Sequence, residues 1–161
     1  MQISKLFASL HYKTLLVELN VKNPQIQRWL ENGSRGLMEF LRGEVPLDSV
    51  VFQPSENIHF DIIALGKESG NEFVLKEEDL LKIKKLTDRY ECVVVDTAGL
   101  LDSAFVHPLL KEADEVFLVL LLSKTTEEDL AKCKEILDTL QVKRLSVVLN
   151  GFNKKIHSLE M

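Results

Sequence analysis

Polar residues stand at the ends of several apolar runs in this sequence, where they could hold a phosphate or a metal ion. Carboxylate and amide oxygens are the ligands that Mg²⁺ prefers in proteins. Ligands of parallel α/β sheets bind at the carboxyl ends of the strands, so side chains that end such runs are predicted to lie at one edge. The candidate positions for a nucleotide site are Glu18, Asn20, Asp96, Thr97 and Asn150.

An aspartate such as Asp96 usually serves a magnesium ion that a glycine-rich phosphate loop holds against the phosphates. That loop has the pattern G-x-x-x-x-G-K-[ST], and the pattern does not occur in the 161 residues. The only Gly-Lys pair is Gly66-Lys67, and it lacks the earlier glycine, since residue 61 is Asp. The sequence therefore predicts no catalytic residues and no metal site, unless Asp96 binds a metal alone.

Two other nucleotide motifs are incomplete. The run Asp96-Thr97-Ala98-Gly99 is the D-x-x-G of GTPases, but residues 153–156 read N-K-K-I and lack the aspartate that reads guanine. No G-x-G-x-x-G dinucleotide fingerprint occurs either. A GTPase and a dinucleotide-binding enzyme are both disfavoured.

The elements that position the candidate residues alternate between helices and strands. The predicted strands cover 14–19, 57–65, 92–97, 116–122 and 145–149, and the predicted helices cover 2–12, 37–41, 76–90, 102–113 and 126–140. A break is expected within the fourth helix, at His107-Pro108. Continuous apolar strands are typical of sheets covered on both faces. We therefore expect a single three-layer α/β/α domain with a mostly parallel sheet over residues 1–151, followed by a polar tail at 152–161.

Composition excludes several classes of protein. The net charge of −5 argues against a nucleic-acid binder, which needs a basic face. The longest apolar run, Val116 to Leu122, is far shorter than the roughly 20 residues that span a bilayer. Cys92 and Cys133 show no metal or disulfide spacing, which favours reduced thiols in a cytoplasmic protein.

Six segments of the chain carry a resemblance to a known family. They read LLVELNVKNP at 15–24, GLMEFLRGE at 36–44, NIHFDIIALG at 57–66, YECVVVDT at 90–97, ADEVFLVLLLSKTT at 113–126 and VVLNG at 147–151. In this order they resemble the catalytic domain of the bacterial tyrosine autokinases of capsular and exopolysaccharide synthesis, relatives of the MinD and ParA ATPases. The resemblance implies a truncated P-loop NTPase-like fold without its first strand and phosphate loop.

The departures from the family pattern bear on activity. The resemblance places the phosphate loop just before the helix that starts at residue 2, and it places two aspartates where this chain has Glu18 and Asn20. Asp96 is kept, but Ala98-Gly99 replaces two prolines, and the C-terminal tyrosine cluster is missing. The chain is accordingly identified as a degenerate member, and the candidate positions are interpreted as vestigial.

The absent first strand predicts a change in the sheet. In the family it lies between the strand that ends at Asp96 and the strand at 116–122. An open gap would leave buried backbone groups without partners, so we expect Val93–Val95 to pair directly with Phe117–Leu120. The alternative is that a partner protein fills the gap.

Two functional hypotheses follow from the resemblance. The first is a non-catalytic regulator or adaptor with no cofactor, which docks on a membrane-bound polysaccharide co-polymerase or on a kinase partner. The second is an ATP-binding tyrosine kinase or ATPase of the same family, represented without its phosphate-loop segment and dependent on Mg-ATP. The implied location is cytoplasmic, with attachment to the inner membrane through a partner, and homo-oligomerisation is a further option.

Overall fold

The computed structural model describes residues 2–30, 35–53, 60–67 and 75–151, without the side chain of Phe105. These residues fall into two compact units, unit 1 over Met1–Gly99 and unit 2 over Leu100–Met161. The predicted single domain over 1–151 stays a prediction. The predicted tail at 152–161 lies outside the described residues.

Unit 1 is built on three parallel strands. Its elements are α1 (Gln2–Ser9), β1 (Thr14–Leu19), α2 (Gln25–Trp29), α3 (Leu37–Leu41), β2 (Phe60–Ile63), α4 (Glu77–Lys84) and β3 (Cys92–Thr97), with short 3-10 turns at Leu47–Ser49 and Lys85–Asp88. The strand order is β2-β1-β3, so β1 lies in the centre. Leu16 of β1 stands opposite Ile62 of β2 and Val94 of β3.

The core of unit 1 surrounds the central strand. All six residues of β1 are buried, which fits a largely apolar strand covered on both faces. Leu16 packs in one cluster with side chains from α1, α2 and β2, namely Ala8, Ile26, Phe60, Ile62 and Ala64. Helix α1 is amphipathic and turns Ser4 and Ala8 inward.

Unit 2 contains two parallel strands and one long helix. Its elements are a 3-10 turn at Ala104–Val106, α5 (His107–Glu112), β4 (Val116–Leu121), α6 (Glu127–Leu140) and β5 (Leu145–Asn150). Helix α6 starts at a capping box, because Thr126 Oγ1 accepts a hydrogen bond from the N–H of Asp129 and the Asp129 carboxylate accepts one from the N–H of Thr126. It ends at Gln141 in the left-handed conformation (φ 53°).

The strands of unit 2 are poorly covered. In β4 half-buried and exposed residues alternate, and in β5 every residue except Ser146 is exposed. Among the described residues of unit 2, the buried apolar side chains are Val106, Cys133 and Leu137. The sequence predicted that all continuous apolar strands are covered on both faces. This prediction is confirmed for β1 and wrong for β4 and β5.

The predicted α/β class with parallel strands is confirmed, and most predicted elements are present with shorter ends. The first helix stops at Ser9, and the helix predicted over 76–90 gives way to a 3-10 turn after Lys84. The break expected at His107-Pro108 is present, because the segment predicted as the fourth helix is divided there into a 3-10 turn at Ala104–Val106 and α5 from His107. Pro108 fits the first turn of α5, where its missing N–H costs nothing. Helix α2 was not predicted. Residues 57–59 of the second predicted strand lie outside the described residues.

The predicted pairing of β3 with β4 is wrong. Where the chain is described, β3 pairs with β1 and β4 pairs with β5, in two separate sheets. The prediction assumed that unpaired backbone groups on these strands would be buried. However, Val93–Val95 are only half-buried and Phe117 and Val119 are exposed, so water can reach the strands.

Candidate functional site

The carboxyl edge of the unit 1 sheet collects four of the five predicted site residues. In the register of β1 and β3, Glu18 stands opposite Asp96, and Leu19 stands opposite Thr97. Asn20 follows β1 directly. The predicted convergence at one edge is therefore present for Glu18, Asn20, Asp96 and Thr97.

Glu18 is buried completely and its carboxylate is fully engaged. Oε1 accepts a hydrogen bond from the backbone N–H of Ile26 (2.6 Å), and Oε2 accepts bonds from the N–H groups of Gln27 (2.8 Å) and Leu65 (3.3 Å). These donors lie at the start of α2 and after β2, so the carboxylate is directed away from β3. Glu18 thus joins β1, α2 and β2, and its oxygens do not face an open metal site.

The loop that follows β2, residues 64–67, is held by side-chain acceptors from three elements. Glu18 accepts from Leu65, Gln27 Oε1 accepts from the N–H of Gly66 (2.9 Å), and Glu39 Oε1 accepts from the N–H of Lys67 (3.0 Å). We call residues 64–67 the β2 loop. Three consecutive backbone donors are therefore paired with three different side chains.

Glu39 joins the β2 loop to α3. Its Oε2 accepts a hydrogen bond from the N–H of Gly36 (2.8 Å), and Arg42 lies 3.5 Å from its Oε1. Burial by itself raises the pKa of Glu39, but the hydrogen bonds from Gly36 and Lys67 and the charge of Arg42 outweigh it, so the pKa lies below its usual value. Glu39 is thus held in its ionised form.

Two glycines allow the β2 loop and the start of α3 to approach closely. A Cβ on Gly36 would collide with the carbonyl oxygen of Ala64 and the backbone of Gly66. Gly66 has a φ of +87°, and a Cβ there would collide with the carboxylate of Glu39. Backbone bonds close the contact, from the N–H of Leu37 to Ala64 O (2.8 Å) and from that of Met38 to Leu65 O.

The other predicted residues of this edge have different surroundings. Asn20 is half-buried, and its Oδ1 accepts a hydrogen bond from the N–H of Asn23, which makes it a turn residue. Asp96 keeps access to solvent, although the protein atoms around its carboxylate desolvate it enough to raise its pKa above the usual value. Thr97 is half-buried. Asp96 is the carboxylate of this edge that remains available.

Asn150 lies in unit 2, at the end of β5. Its carbonyl oxygen accepts a hydrogen bond from the N–H of Leu122, and its Oδ1 accepts one from Gly151. Both contacts stay within unit 2 and close the end of the two-stranded sheet. The structure therefore gives Asn150 a local role there.

The described residues do not fit a magnesium site. The described part of the chain contains no group of three or more His, Cys, Asp or Glu side chains that could hold a metal ion. Glu18 is occupied by backbone donors, and Asn20 carries no charge. Asp96 alone offers one carboxylate, whereas hard cations take several oxygen ligands at once.

Sequence reasoning missed Gln27 and Glu39 and interpreted Gly66-Lys67 only as a false phosphate loop. A signal for Glu39 was present, because an acid three residues after Gly36 is typical of a helix N-terminus. Glu39 also accepts a bond from the N–H of Lys67, which is 28 residues further along the chain. No pattern of neighbouring residues predicts that contact. Gln27 lies in a helix that was not predicted.

Known proteins resemble this chain in sequence and in fold. No protein-family model matches the sequence. Over 160 residues the chain is 29% identical to the tyrosine-protein kinase YwqD of Bacillus subtilis (strain 168), covering 97% of this chain and 67% of that protein. The structure of the VpsO kinase domain superposes with a TM-score of 0.79 at 25% identity, covering 92% of this chain and 75% of that one. The chain is therefore similar, over most of its length, to bacterial tyrosine kinases.

The fold of this chain is also found outside kinases. The MinD cell division protein of Aquifex aeolicus superposes with a TM-score of 0.74 over 96% of this chain and 63% of that one, at 17% identity. At this identity the match shows the fold alone, and the fold is MinD-like. Among the described residues of this chain, no helix has the length and apolar character needed to cross a bilayer.

Proposed function

We propose that this protein is a non-catalytic regulator or adaptor of bacterial exopolysaccharide or capsule biosynthesis, and that it acts through protein–protein interaction. One observation carries the proposal. Glu18 stands where the kinases have the first aspartate of their metal-binding strand, and it is buried and bonded to three backbone N–H groups. A carboxylate in that state supports the fold and has no free oxygen for a metal.

Phosphoryl transfer makes the loss of this ligand important. The enzyme contributes positioning and neutralisation of the phosphate oxygens, mostly through a metal ion and a phosphate loop. In this chain the edge retains one accessible carboxylate, Asp96, whereas hard cations take several oxygen ligands at once. Under this proposal the protein uses no cofactor and has no catalytic residue.

The surface of unit 2 supports an interaction role. Large apolar side chains are exposed on both faces of its two-stranded sheet, and exposed apolar surface of this kind is typical of protein-binding sites. They are Phe117, Val119, Leu121, Leu145, Val147, Val148 and Leu149. The partner we propose is a membrane-bound polysaccharide co-polymerase or a kinase of the same system, which would bring the protein to the inner membrane from the cytoplasm.

Thermal unfolding with and without magnesium and nucleotide tests the absence of a cofactor. We expect ATP, ADP and GTP, each with Mg²⁺, to leave the melting temperature unchanged, and Asp96→Ala to behave identically. Asn20→Ala is the matched control at the same edge, because it removes a turn residue and no charge. A magnesium-dependent increase in melting temperature that disappears in Asp96→Ala would contradict the proposal.

The second candidate is an ATP-binding tyrosine kinase or ATPase of the same family, completed by a phosphate-loop segment that these 161 residues do not contain. The observation that favours it is Asp96, which stays accessible at the end of β3 with Thr97 beside it. Reading the gene upstream of Met1 for an in-frame strand and Gly-Lys-Ser/Thr loop separates the two candidates. Finding such a segment would support the enzyme.

A further inference from the structure

The β2 loop presents its backbone donors in the manner of an anion-binding site. Leu65, Gly66 and Lys67 offer three successive N–H groups, and Gly66 adopts the left-handed conformation (φ +87°). Successive N–H groups around such a residue form a concave nest that binds anions. The loop also lies at the carboxyl edge of a parallel sheet, where α/β proteins bind their ligands.

In this chain, side chains of the protein itself accept the three hydrogen bonds of the nest. The acceptors are the carboxylate of Glu18, the amide oxygen of Gln27 and the carboxylate of Glu39, at 3.3, 2.9 and 3.0 Å. They come from β1, α2 and α3, so the three bonds hold four segments of unit 1 together. Both carboxyl groups are buried, and each accepts a further backbone bond outside the loop.

We propose that Glu18, Gln27 and Glu39 act together as an internal substitute for a bound anion, which fixes the β2 loop in one conformation when no ligand is present. Glu39 makes the shorter of the two carboxylate bonds to the loop, 3.0 Å against 3.3 Å for Glu18. The inference does not depend on the proposed function, since a filled nest on the β2 side leaves Asp96 free on β3.

An ordinary helix cap does not account for these contacts. A cap needs only the bond from the N–H of Gly36 to Glu39, three residues later, whereas the bond from the N–H of Lys67 comes from another segment. The glycine at 66 also has a specific reason, since any Cβ there would occupy the place of the Glu39 carboxylate. The loop is therefore shaped around that carboxylate.

Amide hydrogen exchange on the full chain tests the proposal. In Glu39→Gln, where a donor amide replaces one acceptor oxygen, we expect exchange at Lys67 to become about 10- to 100-fold faster, because a charge-assisted bond is lost. Amides of β1 should change much less. Glu44→Gln is the matched control, since Glu44 is an exposed partner of the same Arg42 and makes no contact with the loop. Equal acceleration in the loop and in β1 would overturn the proposal.

A second variant and an added anion sharpen the test. Gln27→Ala removes one acceptor and should speed exchange mainly at Gly66, which keeps the test usable if Glu39→Gln unfolds. In Glu39→Ala, sodium acetate should restore part of the protection at Lys67, while sodium chloride at equal concentration should not. Absence of any acetate effect would show that the nest does not bind anions. Binding of Mg-ATP by wild type through Asp96 would contradict the proposed function and leave this inference intact.

Discussion

Strands β1 and β5 have similar sequences and opposite environments. TLLVEL in β1 is buried at all six positions, and LSVVLN in β5 is exposed at all but one. Strand β1 has a hydrogen-bonded neighbour on each side, whereas β5 has β4 alone among the described strands. An apolar run predicts that a strand forms. Whether the side chains of the strand are buried is decided by the elements that pack around it.

The two units also differ in the burial of their polar side chains. Unit 1 buries Ser4, Thr14, Glu18, Glu39 and Asp79 along with its apolar core. Its two buried glutamates are both bonded to backbone N–H groups, which offsets the cost of removing charge from water. Every described acid of unit 2 is exposed except Asp129, which is half-buried. Unit 1 therefore buries both apolar and polar side chains, whereas the strands of unit 2 carry exposed apolar side chains.

The largest expected difference is between two leucine truncations. Leu16→Ala in β1 removes a side chain that is 1% exposed and should reduce the free energy of unfolding by about 4 kcal/mol. Leu149→Ala in β5 removes one that is 51% exposed and should cost less than about 1 kcal/mol. Urea unfolding measures both, with the single tryptophan, Trp29, as the probe in unit 1. Equal losses would show that β5 is covered in solution.

Two glycines with nearly the same backbone angle give a second comparison. Gly66 has φ +87° and Gly151 has φ +86°, so alanine introduces the same strain at both. At Gly66 the new Cβ also displaces Glu39, and we expect a loss of about 3 kcal/mol. At Gly151 it meets the end of the flexible Leu121 side chain at 3.0 Å, and we expect about 1 kcal/mol.

Thermal melting of the two glycine variants should rank them in this order. Gly43→Ala is a control for strain alone, since its φ is +75° and nothing lies within 4 Å of the new Cβ. If Gly66→Ala loses no more than Gly43→Ala, the β2 loop does not depend on the position of Glu39.

Replacing the N-cap residue should reduce stability more for α6 in unit 2 than for α4 in unit 1. Thr126→Ala removes the side-chain cap of α6, the longest described helix of unit 2, and should cost about 1 kcal/mol. The equivalent change in α4, Lys76→Ala, should have almost no effect because Lys76 makes no side-chain cap bond. Far-ultraviolet circular dichroism during urea unfolding detects the difference. A larger loss in Lys76→Ala would contradict the assigned cap.

Acid stability gives the smallest and most specific effect. The pKa of Glu39 is lowered in the folded state, so this carboxylate stabilises the protein above its unfolded pKa, near 4.5, and the contribution disappears as pH falls through the lower folded value. Glu39→Gln should therefore lose less stability than wild type between neutral pH and that range. Stability curves against pH for both proteins measure the change. A parallel pair of curves would show that Glu39 has an ordinary pKa.

Much of the fold could be predicted from local patterns. The periodicity of β1, β3 and α6 gave their bounds to within one or two residues, because apolar spacing and the cap at Thr126 act locally. Helix α2 was missed because five residues after Pro24 have too few turns to show a period. The pairing of β3 with β4 was predicted wrongly, since pairing depends on contacts distant in sequence.

The candidate site could be predicted only in part. The sequence located Glu18, Asn20, Asp96 and Thr97 at one edge, because parallel strands end together. It could not show that Glu18 is fully bonded to backbone groups, since two of its donors belong to an unpredicted helix and the third is 47 residues away. Glu39 and Gln27 became visible only through their bonds to the β2 loop.

By itself the sequence determined the alternation of helices and strands, the family resemblance, and the absence of a phosphate loop from these 161 residues, because each is a pattern of neighbouring residues. The tertiary structure decided which apolar strands are buried and which carboxylates are free. Those outcomes depend on hydrogen bonds and contacts between distant segments, such as the bonds from Leu65 to Glu18 and from Lys67 to Glu39.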